Sequence, residues 1–261
     1  MLPKIFNKTY LVMNRKLYAL FVLLACFLVQ AKAQTEVTIT DNDLQSGTYN
    51  WTKDNVYVLD GLVYLEAGGV LNIQAGTVVK ANGIPVSATD PTSALIITKD
   101  AQIFAEGTAA EPIIFTGSLD DLTVTDDLTA LDNQTWGGII ILGNAPIGED
   151  VNPEVGYPTD VIEGIASTET RILYGGTDPD DNSGVLKYVS IRHGGSILGA
   201  DNEINGLTLG GVGRGTEIDY IEVFANKDDG IEIFGGTVNI KHAVVAFCGD
   251  DSYDMDESWD G

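Results

Sequence analysis

The 261-residue sequence predicts an all-β fold, a right-handed parallel β-helix (a solenoid) whose coil is about 22 residues long. Three observations carry that expectation. Ile218-Asp219-Tyr220-Ile221-Glu222-Val223 is echoed 22 positions later by Ile240-Lys241-His242-Ala243-Val244-Val245, and Asp228-Asp229-Gly230 is echoed at the same offset by Asp250-Asp251-Ser252. Short runs of Ile, Val, Leu and Tyr are separated by Gly, Asn and Asp, which are strand signals bounded by turn signals. After position 34 no segment sustains a helical period. A unit this short cannot bury its apolar side alone, whereas stacked units bury it in one continuous column.

Taken from the start, residues 1–33 have the layout of a secretory signal peptide. Lys4, Lys8, Arg15 and Lys16 form a basic stretch, Leu17 to Val29 is an apolar run, and Ala31-Lys32-Ala33 is a small-x-small cleavage site before Gln34. Met13 would open a leader of more ordinary length. The apolar run of 13 residues falls short of the roughly 20 needed to span a bilayer. Cys26 follows Leu23-Leu24-Ala25, a faint lipoprotein box, but the apolar run continues past it. Cleavage near Ala33-Gln34 without lipidation is expected, leaving residues 34–261 as a single β-helix domain, secreted or on the outer cell surface, with no membrane span.

In that domain Leu71 to Thr77 resembles Ile103 to Thr108, with Gly-Thr pairs 31 apart, which fits a coil plus a loop around Asn82 to Thr92. Two acidic insertions, Ser118 to Gln134 and Gly148 to Glu169, are expected to project sideways from the column. The later copies are tighter. Leu186, Ile218 and Ile240 should form one inward ladder, and Ile191, Val223 and Val245 another, because equivalent residues of stacked strands lie directly above one another. His242 takes the ladder position of Tyr188 and Tyr220, so it is read as a packing residue. The chain stops at Asp260-Gly261 inside a patterned segment, which suggests a fragment of a longer protein.

Charge narrows the functions. Five of the 14 Lys+Arg precede Gln34, leaving 9 against 38 Asp+Glu, a net charge of −29. Nucleic-acid binding depends on basic side chains neutralising phosphates and is excluded. Cys248 is the only cysteine after the leader, so no internal disulfide is available. Two separated histidines and one thiol make neither a zinc site nor a Ser-His-Asp arrangement. Gly210-Gly211-Val212-Gly213-Arg214-Gly215 precedes no helix, which removes phosphate-loop and dinucleotide readings.

Ala94-Leu95-Ile96-Ile97, Ala105-Glu106-Gly107-Thr108, Pro112-Ile113-Ile114-Phe115, Trp136-Gly137-Gly138-Ile139 and Asp178-Pro179-Asp180-Asp181-Asn182-Ser183-Gly184, continuing through Gly211 to Thr216 and Asp228-Asp229-Gly230, resemble secreted β-helix proteins of Gram-negative bacteria. The resemblance covers about positions 60 to 261. It implies the pectin-lyase-like fold and an extracellular or outer-surface location. Asn226-Lys227-Asp228-Asp229-Gly230 and Gly249-Asp250-Asp251 are also similar to two motifs of polygalacturonase-like glycosidases. That similarity implies carboxylates that protonate a glycosidic oxygen and activate water.

Asp228, Asp229, Asp250 and Asp251 are therefore the catalytic candidates if the chain is an enzyme, and stacking would couple their protonation. The same residues with Asp254 and Asp256 form the candidate calcium site, and Glu257 lies beside them in sequence, since hard cations take oxygen ligands. Asp178, Asp180 and Asn182 alternate like a calcium loop, but Gly184 and Val189 stand in the wrong places for an EF-hand. Tyr188, Tyr220, Trp136 and Trp259 are aromatics able to stack on sugars. The leading reading is a secreted or cell-surface protein that binds extracellular material such as polysaccharide. Its alternatives are a polysaccharide-degrading hydrolase or lyase and a structural stalk.

Overall fold

The computed structural model describes residues 34–166, 168–199 and 202–261. The expected leader and its cleavage site at Ala33 lie outside the described residues. Among the described residues no helix is long and apolar enough to cross a membrane.

The strands wind as a parallel β-helix. Leu62–Leu65, Ala94–Ile97, Ile139–Leu142, Leu207–Gly210, Ile231–Phe234 and Tyr253–Asp256 stack into a six-stranded parallel sheet, the first face. The remaining long sheet of 11 strands is bent into two further faces. The bend is visible in Gly184–Arg192, which pairs with Gln102–Glu106 along its first half and with Ile113–Gly117 along its second. Its corner is Tyr188, with φ of 47°, and the next coils turn at the equivalent Tyr220 and His242, with φ of 53° and 48°. Left-handed backbone at a non-glycine residue is costly, and here the rings offset that cost. Tyr188, Tyr220 and His242 stack face to face with centroids 4.4 and 4.3 Å apart.

The ladders take the expected register. Leu186 pairs with Ile218 and Ile218 with Ile240, while Ile191, Val223 and Val245 align in the same way. Leu186, Ile218, Ile191 and Val223 are buried in the central column, with Ile240 and Val245 packed against its end. The 22-residue offset also holds at the other end of the solenoid, where Gly47 pairs with Gly69 and Val56 with Val78. Between Leu71 and Ile103 the offset is 32, one more than the Gly-Thr spacing, because the loop near 82–93 adds residues between successive coils. Asp60 holds that loop by accepting from Asn82 Nδ2, Ser87 Oγ and the backbone of Val86 and Ser87.

The insertion at Gly148 to Glu169 does not project sideways as expected. It folds back over the first face. Asp160–Val161 pairs antiparallel with Leu173–Tyr174, and Ile147, Ile162, Ile172 and Tyr174 cover the outward side chains Leu62, Tyr64, Ala94, Ile96, Ile140 and Leu142. Burial on both sides explains why these early strands read as unbroken apolar runs. Arg171 clamps the cover down, pairing with Asp41 and Glu169 and lying 3.9 Å above the Tyr64 ring. The cover meets the last coil at Glu257, whose carbonyl accepts the Gly148 N–H, and the outer surface beside it, toward Asp228 and Asp250, forms the candidate site.

Candidate functional site

Side chains on a strand alternate between the two faces of its sheet, so every second residue of each first-face strand points out of the column. Two outward files run across the stacked strands. One passes from Ile140 to Thr208, Glu232 and Asp254, and the other from Leu142 to Gly210, Phe234 and Asp256. Both begin apolar under the insertion and turn polar where it ends. The turns entering these strands add Asn205, then Asp228 and Asp229, then Asp250. The antiparallel hairpin of Ile197–Gly199 and Asn202–Glu203 stands alongside as a wall. Together they form a cleft of about 620 Å³ lined by carboxylates and by Ile140, Ile162, Ile204 and Phe234.

Two carboxylate triads share Asp229. Ligand oxygens of Asp228, Asp229 and Asp250 lie within 4.8 Å of one another, and so do those of Asp229, Glu232 and Asp254. The sharing follows from the coil, since Glu232 pairs directly with Asp254 and the Asp228 turn is repeated at Asp250. Asp229 is only 7% exposed and accepts the Asp251 backbone N–H at 2.8 Å. Asn205, 5% exposed, donates its amide to Glu232 and to Thr208 Oγ1, while its own Oδ1 is buried without a partner.

Burial, then the neighbouring carboxylates Asp229, Asp254 and Asp228, push Glu232 up to about 8 against the opposing bond from Asn205. Burial likewise pushes Asp229 up to about 6, against the Asp251 N–H and with Asp228, Asp254 and Asp250 adding to it. Asp228 moves in the same direction, by burial and by the charges of Glu203 and Asp250. A raised carboxyl binds its proton more tightly in the native state, so stability falls as pH rises from the unfolded value near 4.5 to about 8 and is level above that. Glu232→Gln is expected to remove that fall and to stabilise the protein at pH 8 by on the order of 2 kcal/mol, after allowance for solvent screening of this half-buried group. Urea unfolding of both proteins from pH 5 to 8, with no divalent cation, is the check. Parallel curves would place the destabilising charge elsewhere.

Of the residues singled out in sequence, the structure brings Asp228, Asp229, Asp250 and Asp254 together and puts Asp256 on the cleft wall. Asp251 contributes its backbone N–H and its side chain lies outside both triads. Asp178, Asp180 and Asn182 form no carboxylate cluster among the described residues. Asp178 accepts the Asp180 N–H, Asp180 pairs with Arg214 at 2.7 Å, and Asn182 accepts the Gly184 N–H. Trp136 is fully buried with its Nε1 on the Arg192 carbonyl, and Trp259 donates to the Val238 carbonyl. Neither they nor Tyr188 and Tyr220 line the cleft, whose one aromatic among the described residues is Phe234.

Glu232, Glu203 and Asn205 are site residues that sequence reading passed over. The signal for Glu232 was present, because alternation in Ile231-Glu232-Ile233 turns it outward and the 22-residue offset sets it beside Asp254. A further cluster of Glu149, Asp160 and Glu257 joins the insertion to the last strand, with Tyr174 donating to Glu257 at 2.7 Å. Burial pushes Glu257 up to about 7.

A parallel β-helix with a cleft on the outer surface of one sheet defines the class of protein. The chain matches the family model of the pectate-lyase-like β-helix domain over residues 43–261 and belongs to that family. Comparison with curated proteins and with solved structures found no match.

Proposed function

We propose that this chain is an exported protein that binds extracellular polysaccharide in the carboxylate cleft, and that the two triads sharing Asp229 take up a divalent cation, Ca²⁺ by their chemistry. The observation that carries the reading is the pair of triads at a cleft that apolar side chains also line. A sugar ring has apolar faces and a polar rim, so a cleft lined by both apolar and polar side chains suits it. The donor set is all oxygen, as a hard cation requires. Asp228, Asp229, Glu232, Asp250 and Asp254 would hold the ion, which would supply positive charge where repulsion and burial now disfavour ionised carboxylates.

One observation favours hydrolysis as a second reading. With Glu232 pushed up to about 8, it carries a proton at neutral pH beside ionised carboxylates, the pairing of acid and base that glycoside cleavage uses. The test is co-sedimentation of residues 34–261 with insoluble polysaccharides, followed by assay of the supernatant for reducing ends. Binding without sugar release is expected. Sugar release that is lost in both Asp250→Asn and Glu232→Gln would make the chain an enzyme. Absence of binding to any polysaccharide by folded protein would leave the structural-stalk reading.

A further inference from the structure

We propose that the cleft holds the terminus of a polysaccharide chain and not an internal segment of one. The inference rests on the glycan-binding reading and names the part of the polymer that enters. Its ground is that one end of the cleft is closed. The outward file that forms the floor runs from Asp254 and Glu232 to Thr208 and Ile140. Asp254 and Glu232 are half-buried, Thr208 is 2% exposed and Ile140 1%. The space above Ile140 is filled, since Ile140 belongs to one apolar cluster with Ile147, Ile162 and Tyr174. A glycan that follows the file inward therefore meets protein side chains where its next sugar would lie.

Two walls meet at that end. Gly164 of the cover has φ of +76°, and a Cβ added to it would lie 2.9 Å from Leu198 Cβ and 3.1 Å from Asn202 Cβ. A glycine is what lets the hairpin come against the cover there, and Leu198 packs on the same apolar cluster as Ile140 and Ile162. Along a second side the cover reaches the last coil. Tyr174, whose strand pairs with Asp160–Val161, lies against Gly210 and has its ring centroid 6.0 Å from that of Phe234, and beyond it the Gly148 N–H bonds the Glu257 carbonyl at 2.7 Å. The exposed lining residues Asp250 and Asp256 lie at the opposite end. From Thr208 to Asp254 is two strand spacings, about 10 Å, room for the last rings of a chain. An internal segment needs a way in and a way out, whereas a terminal sugar needs only the first.

The test counts binding sites by calorimetric titration of residues 34–261 with polygalacturonate, xylan and a soluble β-1,3-glucan, in Ca²⁺ too dilute to gel the uronate. Each polymer is used intact and after partial hydrolysis to shorter chains, at equal mass. For a polymer that binds, cutting to roughly one tenth of its length is expected to raise the sites per gram about tenfold, because a cleft closed at one end counts chain ends. A groove open at both ends counts chain length, and its sites per gram would not rise. The Ser196 carbonyl already accepts the Ile204 N–H at 3.1 Å, so a two-residue Asn-Gly turn can replace Ile197–Glu203 and remove the hairpin wall while the coil stays joined. That variant should admit internal segments and count several-fold more sites on intact polymer. Sites per gram that stay level or fall on hydrolysis would overturn the terminus assignment and leave the glycan reading standing. A folded hairpin variant that counts no more sites than the native protein would overturn it too, as would a polymer that co-sediments while its fragments bind nowhere. No binding of any polymer or fragment, together with no co-sedimentation, would remove both readings.

Discussion

Ile218→Asp is expected to abolish folding of residues 34–261, with loss of the strand signal in circular dichroism and recovery of the protein in inclusion bodies. Ile218 is 1% exposed and sits between Leu186 and Ile240 in the inward ladder. Replacing it puts a carboxylate into a column lined on both sides by aliphatic groups. An isolated buried charge costs more than the net stability of most domains, about 5–15 kcal/mol. The milder Ile218→Ala separates this cause from a general intolerance of change, since it should cost about 2–5 kcal/mol, the range for a buried Ile reduced to Ala, and still fold. Soluble, fully structured Ile218→Asp protein would show that this position does not face the column.

Gly184→Ala should be the most damaging replacement by a single methyl group. Gly184 opens the long strand Gly184–Arg192 with φ of +115°, a conformation L residues rarely adopt, and an added Cβ would lie 1.9 Å from the Ile103 carbonyl oxygen. The three nearest atoms are all Ile103 backbone, and the pairing of Gly184 with Ile103 is the register point at which the strand rejoins the stack. Neither partner can move without breaking that ladder. A cost of roughly 3 kcal/mol or more is expected from the strained backbone and the overlap combined, read as a lowered urea midpoint with unchanged m-value. Gly156→Ala is the comparison. Gly156 also has positive φ, of +83°, but nothing lies within 4 Å of its added Cβ, so only the strain term remains and the loss should be about 1 kcal/mol. Equal losses at the two positions would remove the close approach to Ile103 as the cause.

The fold was legible where side chains repeat. Ile218 to Val223 and Ile240 to Val245 share both pattern and offset, so their pairing could be read directly. At the other end Gly47 to Trp51 pairs with Gly69 to Ile73 at the same offset, but only the Gly47/Gly69 and Asn50/Asn72 pairs agree, and two shared residues in five leave little to see. The path of the insertion was hidden for a different reason. Ile147, Ile162 and Ile172 are scattered among acidic residues, and their apolar partners on Leu62 to Leu142 look like ordinary strand interior. Only three-dimensional packing shows that those strands are buried on both sides.

The candidate site divides along the same line. Asp228, Asp229, Asp250 and Asp254 stood out because the turn motif repeats. Glu203 comes from a hairpin outside the repeat, and Asn205 matters through burial, which a sequence does not display. The spacing of Asp178, Asp180 and Asn182 was real but serves the turn that leads into Gly184.

The central claim is that the triads sharing Asp229 form a cation site on this solenoid. Its most direct test is the unfolding temperature of residues 34–261 as Ca²⁺ is titrated after EDTA treatment, with potassium chloride of matched ionic strength as control. A ligand bound only by the native state stabilises it by about 2.7 kcal/mol at a hundred times its Kd, which for a domain of this size is a rise of roughly 5–10 °C. The rise should be present in the native protein and absent in Asp229→Asn, which removes the charge common to both triads and keeps the acceptor for the Asp251 N–H. An unfolding temperature indifferent to Ca²⁺, or one that rises equally in Asp229→Asn, would contradict the account.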